Sequence, residues 1–128
     1  MTPERQAQNF AAVEAWVEAY NSHDFDALAA VCDDAFHVVD PATGTDIAGR
    51  DAFVEIGRQV VALYPDRRIT IDRMVPLGSS AVAVEGTWDG TAAVDTPTGA
   101  RRGDLVHHIE SMLVELVDGR VGLMRIYR

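Results

Sequence analysis

Phe10, Val13, Trp16, Val17 and Tyr20 recur at spacings of three and four, which is one apolar stripe on a helix. Thr2 stands where a cap belongs and Pro3 at the first helical position, and the pattern runs to near Asn21. Asp24 is the next cap. It precedes a short helix whose apolar side is Phe25, Leu28, Val31 and Cys32. A third helix follows Gly49, with Phe53, Ile56, Val60, Leu63 and Tyr64 as its stripe. Pro65 stops it, because the residue before a proline is pushed out of the helical region.

Elsewhere the period changes to two. Residues 36–40 form a short strand that ends at Pro41, with a turn through Ala42, Thr43 and Gly44. Residues 68–77 alternate Ile69, Ile71 and Arg73 with Thr70, Asp72 and Met74, and Gly78-Ser79-Ser80 turns the chain. Over 81–91, Val82, Val84, Gly86 and Trp88 share one face, where the missing side chain of Gly86 leaves room. After a turn at 95–99, residues 105–117 are a long strand, Asp118-Gly119 is a hairpin signal and 121–127 is the last strand. The order is helix, helix, strand, helix and four strands. That order predicts an α+β fold with antiparallel pairing, in a single domain over residues 1–128.

Composition removes several function classes. Apolar residues are 48% and charged residues 24%, as in ordinary globular proteins. Twenty acidic residues stand against 11 basic ones, a net charge of −9, and every basic residue is arginine. Without lysine there is no Schiff-base chemistry and no P-loop lysine, and the acidic balance argues against nucleic acid. Cys32 alone makes no internal disulfide or zinc site, and on an apolar helix face it reads as core. No apolar run approaches the ~20 residues a bilayer requires, and the opening Met1-Thr2-Pro3-Glu4-Arg5-Gln6 has no leader pattern; the expectation is a cytoplasmic protein off the membrane. His107 and His108 fall on opposite strand faces and cannot chelate one metal side by side. Asp33-Asp34 reads as a surface pair at a helix end, and Arg67-Arg68 and Arg101-Arg102 as solvated loop charges.

Tyr20-Asn21-Ser22-His23-Asp24-Phe25-Asp26-Ala27-Leu28 resembles the segment joining the first two helices of the SnoaL-like and ketosteroid isomerase-like families, within the nuclear transport factor two-like superfold. Asp33-Asp34-Ala35-Phe36 with Val39-Asp40-Pro41 resembles their first strand, and Gly49-Arg50-Asp51-Ala52 the opening of their third helix. Pro97-Thr98-Gly99 and Asp118-Gly119-Arg120-Val121 are similar to the two late hairpins, and Met124-Arg125-Ile126-Tyr127 to the last strand. The resemblance implies a cone-shaped α+β barrel, with three N-terminal helices packed against a curved, mainly antiparallel sheet. It also implies a pocket open at one end and a homodimer. The fold hosts several chemistries, so activity must be argued from the site.

Asp40 closes an apolar strand and matches the general-base aspartate of ketosteroid isomerase-like proteins. A carboxylate against apolar walls can shuttle a proton near neutral pH. The alternative is a turn aspartate bonded to backbone N–H groups. Ketosteroid isomerase uses a tyrosine and a protonated aspartic acid as enolate donors. The positions matching those donors hold Trp16 and, at or near the late-strand position, Met112, so neither donor is preserved in kind. On the late strand His108, Glu110, Met112, Val114 and Leu116 share one face, which makes His108 and Glu110 candidate proton donors or partners of Asp40. The alternative is a solvated face. Trp16, Tyr20, Val84, Trp88, Met112 and Met124 are the expected ligand-binding walls, suited to a small apolar or polycyclic molecule. Limonene epoxide hydrolase, of the same fold, carries an acid–arginine–acid set. The places expected for it here hold Trp88, Asp89, Gly90 and Ile126, which makes that activity the weaker expectation. The expected function is a cofactor-independent proton-transfer enzyme, of cyclase or isomerase type, acting on an apolar carbonyl compound. The alternative is a non-catalytic binder of the same fold. No metal or cofactor is expected.

Overall fold

The computed structural model describes residues 2–128; Met1 lies outside them. Helix α1 spans Pro3–Ser22, with the Thr2 hydroxyl accepting from the Arg5 N–H at 3.1 Å. His23 leaves the helix in a left-handed conformation (φ 58°), and Asp24 caps α2, Phe25–Ala30, by accepting from the Ala27 N–H. Strand β1 is Cys32–Asp40, β2 Thr45–Ala48, and α3 Arg50–Leu63. Then follow β3 Arg68–Leu77, β4 Ala81–Thr91, β5 Leu105–Val117 and β6 Arg120–Tyr127. The strands form one sheet in the order β2-β1-β6-β5-β4-β3. β2 and β3 are its edges, so the curved sheet is open. Helix α3 packs on β1 and β2, while α1 crosses β3, β4, β5 and β6. No helix among the described residues is long and apolar enough to cross a membrane.

Three sequence expectations change. The second helix stops at Ala30, and Cys32 opens β1 instead of ending the helix. The sheet captures this segment: Val121 donates its N–H to the Val31 carbonyl at 3.0 Å, and Cys32 pairs with Val121. A register shift between Cys32 and His37 absorbs Asp33 and Asp34, which therefore lie in a strand. β2 goes unpredicted because four residues with one strong apolar position carry no period; its structure comes from pairing with residues 37–40 of β1. The sheet is mainly antiparallel, as the resemblance implies, but the pairing of β1 with β6 is parallel, which the element order does not anticipate. Order along the chain does not reveal that the first and last strands are neighbours.

Two glycines answer to geometry. Asp118 (φ 49°) and Gly119 (φ 79°) form the tight β5–β6 turn, where two successive positive φ angles suit the twist of the strands. At Gly86 a Cβ would stand 2.3 Å from the Thr70 carbonyl oxygen. Its missing side chain admits the neighbouring strand, not a ligand. The core fills the space between helices and sheet with Val13, Trp16, Leu28, Phe36, Val82, Val84, Val114 and Val121, all buried.

Candidate active site

Alternation along three strands brings unlike residues to one end of the sheet's inner face. On β1, Phe36, Val38 and Asp40 point inward and are buried. On β5, Glu110, Met112, Val114 and Leu116 are buried, as the alternation predicts. Met112 pairs with Ile126, so Glu110 lies opposite Arg128 just past the end of β6. Val38 pairs with Met124, which carries Asp40 to the level of Ile126. Three adjacent strands thus deliver Asp40, Arg128 and Glu110 to one place.

Arg128 binds both acids. Its Nη2 is 3.2 Å from Oδ2 of Asp40 and 3.0 Å from Oε1 of Glu110, and its Nε donates to the same Oε1 at 3.1 Å. Asp40 and Glu110 are 3% and 4% exposed, so these charges interact away from bulk water. The Oδ1 atom of Asp40 accepts the Ala42 N–H at 3.1 Å. The pocket and turn readings of Asp40 therefore describe the same residue: one oxygen holds the turn, the other faces Arg128. Burial raises the Glu110 carboxyl above its usual range; Arg128 opposes this and Asp40's charge adds to it. Burial lowers the His108 imidazole, Arg128's charge lowers it further, and Asp40 pulls the other way.

A cavity of about 220 Å³ opens beside this group. Its apolar wall includes Trp16, Phe53, Ile69, Met112 and Met124, with Tyr20, Trp88, Asp40, Glu110, Arg67 and Arg128 as its polar or aromatic features. Trp16 stacks on Tyr20 at 5.3 Å and on Phe53 at 5.9 Å. The Trp16 indole N–H is spent on the Cys32 sulfur at 3.3 Å. The Trp88 N–H donates to the Tyr20 hydroxyl at 2.8 Å, which leaves the tyrosine's own hydrogen to donate elsewhere.

Of the expected site residues, Asp40, Glu110, Trp16, Tyr20, Trp88, Met112 and Met124 line the cavity. Val84 is 1% exposed, lies in the core and lines no part of the cavity. His108 stands one step further along β5, outside the cavity wall, with its ring 6.0 Å from that of Trp88. Two arginines were not anticipated. Arg128 continues the inward face of Met124 and Ile126, and that alternation was its available signal. Arg67, expected as a solvated loop charge, is 2% exposed. Among the described residues, no three His, Cys, Asp or Glu side chains form a group that could hold a metal ion.

The sequence model of the SnoaL-like domain matches residues 13–121. The chain belongs to the SnoaL-like family. No curated protein matches it in sequence. Solved structures share the SnoaL-like fold at low identity. A candidate polyketide cyclase from Xanthomonas campestris pv. campestris superposes with a TM-score of 0.82 at 20% identity, over 97% of this chain and 92% of that one. An epoxide hydrolase of limonene epoxide hydrolase type from M. tuberculosis gives 0.78 at 22% identity, over 94% and 82%. A protein of ketosteroid isomerase-like fold from Catenulispora acidiphila, in complex with trimethylamine, gives 0.76 at 20% identity, over 100% and 87%. At these identities the likeness establishes the fold of this SnoaL-like domain and leaves its chemistry to its own residues.

Proposed function

We propose that this SnoaL-like domain is a cofactor-independent proton-transfer enzyme acting on a small apolar carbonyl compound. The observation that carries the reading is the pair of buried carboxyl groups bridged by Arg128 at an apolar cavity. Asp40 takes the proton from the carbon next to the carbonyl. Glu110, whose proton is held more tightly by burial, donates to the developing enolate oxygen. The Tyr20 hydroxyl is a second donor at the same wall. Together they fill the donor role for which Trp16 and Met112 are unsuited. Two titratable groups of unlike environment are the usual basis of an acid–base division of labour. The cavity is below the roughly 300–1,000 Å³ that enclose drug-sized ligands, which favours a one- or two-ring substrate over a larger polycycle.

The test is exchange of the α-protons of 2-tetralone in D2O, followed by NMR. Wild-type protein accelerates it and Asp40→Asn removes most of the acceleration; equal rates for the two proteins would refute the reading.

The carboxylate–arginine–carboxylate arrangement supports one second reading, opening of an epoxide. There Asp40 would take a proton from the attacking water and Glu110 would protonate the epoxide oxygen, giving a diol. Styrene oxide hydrolysis with no acceleration of tetralone exchange would select it. A binder without turnover would accelerate neither.

A further inference from the structure

We propose that Arg67 is the anion-binding residue of the cavity, and that the ligand is a small organic acid: an apolar body of one or two rings bearing a carboxylate. Arg67 is 2% exposed and lines the cavity. Its Nε and Nη2 have no hydrogen-bond partner among the described residues. The nearby acids are engaged elsewhere. Asp40 and Glu110 are bound by Arg128, and the adjacent Asp66 accepts the Thr91 N–H at 2.7 Å.

The position of Arg67 is held by contacts that leave its N–H edge free. Its backbone N–H donates to the Tyr64 carbonyl at 3.1 Å, which fixes the turn between α3 and β3. Its guanidinium carbon lies 3.5 Å above the centre of the Tyr20 ring. Stacking satisfies the face of the planar cation and directs its N–H groups sideways. Nη2 lies against Gly57 of α3, 3.9 Å from where a Cβ would stand. A guanidinium does not escape burial by losing its proton, as a lysine can. A buried charge without a partner is costly, so the missing partner comes from outside, and the cavity is its route.

The chemistry of the cavity narrows the anion. Arg128 serves both Asp40 and Glu110, so Arg67 is the cavity cation with no acid bonded to it among the described residues, and a single anionic group would partner it. A carboxylate offers two coplanar oxygens to the guanidinium fork, while apolar walls and the Asp40 carboxylate disfavour a multiply charged phosphate. If the proton-transfer reading holds, the substrate is an oxo acid. The inference rests on that reading only for the cavity being the ligand site, not for turnover there.

The test is calorimetric titration at pH 7 with 2-naphthoate and with its neutral isostere, 2-naphthamide. Wild-type protein is expected to bind the carboxylate roughly 10- to 100-fold more tightly. Arg67→Met should bind the two probes equally, and should melt no lower than wild type because a buried unpaired charge is gone. In wild type, the Arg67 Nε–H NMR resonance should shift with naphthoate and not with naphthamide. Equal affinities in wild type, an undiminished preference in Arg67→Met, or no binding of benzoate, cinnamate or naphthoate below about 10 mM would overturn the proposal. Should Arg67→Met not fold, the Nε–H shift in wild type decides alone: its absence at the highest naphthoate concentration overturns the assignment. Failure of tetralone exchange with the carboxylate preference intact would remove the catalytic reading and leave this one standing. Exchange without the preference would do the reverse.

Discussion

One guanidinium joins Asp40 to Glu110: Arg128 Nη2 stands 3.2 Å from the first and 3.0 Å from the second. Neither acid is near the other in sequence, and neither has another cation bonded to it among the described residues. The bridge keeps two carboxyl groups at one apolar wall. Removing any member changes the electrostatic balance of the other two.

Asp40→Asn is expected to keep the turn, since an amide oxygen still accepts the Ala42 N–H, while losing the base. Turnover or α-proton exchange should fall by roughly 10²–10⁴, the usual worth of general-base catalysis. Asp40→Ala should also lose the turn bond and about 0.5–2 kcal/mol of stability, by analogy with helix caps. Urea melts beside the exchange assay separate the two effects.

Arg128→Met leaves two buried carboxyl groups without their cation. Breaking a fully buried pair costs roughly 3–5 kcal/mol, and the loss should be smaller here because the Arg128 side chain is 22% exposed. The destabilisation should be larger at pH 8 than at pH 5, since protonation relieves the repulsion between Asp40 and Glu110. Melts at both pH values check this.

Glu110 has its own pH signature. Its native pKa lies above the unfolded value of 4.5, so the native state holds a proton that the unfolded chain has released between those two values. The associated stability is fully present below pH 4.5 and is lost as pH rises through the native pKa, at up to about 1.4 kcal/mol per pH unit. Comparing Glu110→Gln with wild type across pH 4–8 should show that slope vanish in the variant.

Cys32 is fully buried and its thiol is pushed up to about 11 by burial, against a smaller opposing effect of the Trp16 N–H. It should resist Ellman's reagent at pH 8 in the folded protein and react at once in guanidinium chloride.

Ile109 is 75% exposed and Leu105 is 83% exposed on the outer face of β5, which also carries Ser111 and Leu113. Exposed apolar side chains on this long strand, with His107 between Leu105 and Ile109, predict a homodimer formed through this face. Sedimentation should give twice the monomer mass, and Ile109→Glu should give the monomer.

Local rules in the sequence determined most of the elements. Thr2 and Asp24 cap the helices they were expected to cap, and Asp118-Gly119 turns the hairpin. Period-two alternation placed Glu110 and Met112 on the inner face of β5, because side-chain direction along a strand depends only on parity. The motifs resembling the SnoaL-like family agree with the family match over residues 13–121. Pairing between distant strands was decided only in three dimensions. The parallel contact of β1 with β6 draws Cys32 out of its helix and sets Asp40 beside the end of β6, where Arg128 reaches it. Val84 and His108 are in register with the cavity-lining Met112 and Trp88 yet line no part of the cavity, since parity and register fix a residue's face and level in the sheet and not what packs over it. Arg67 looked like a solvated loop charge because it is covered by Tyr20, on a helix far from it in the chain, and by Gly57 of the preceding helix.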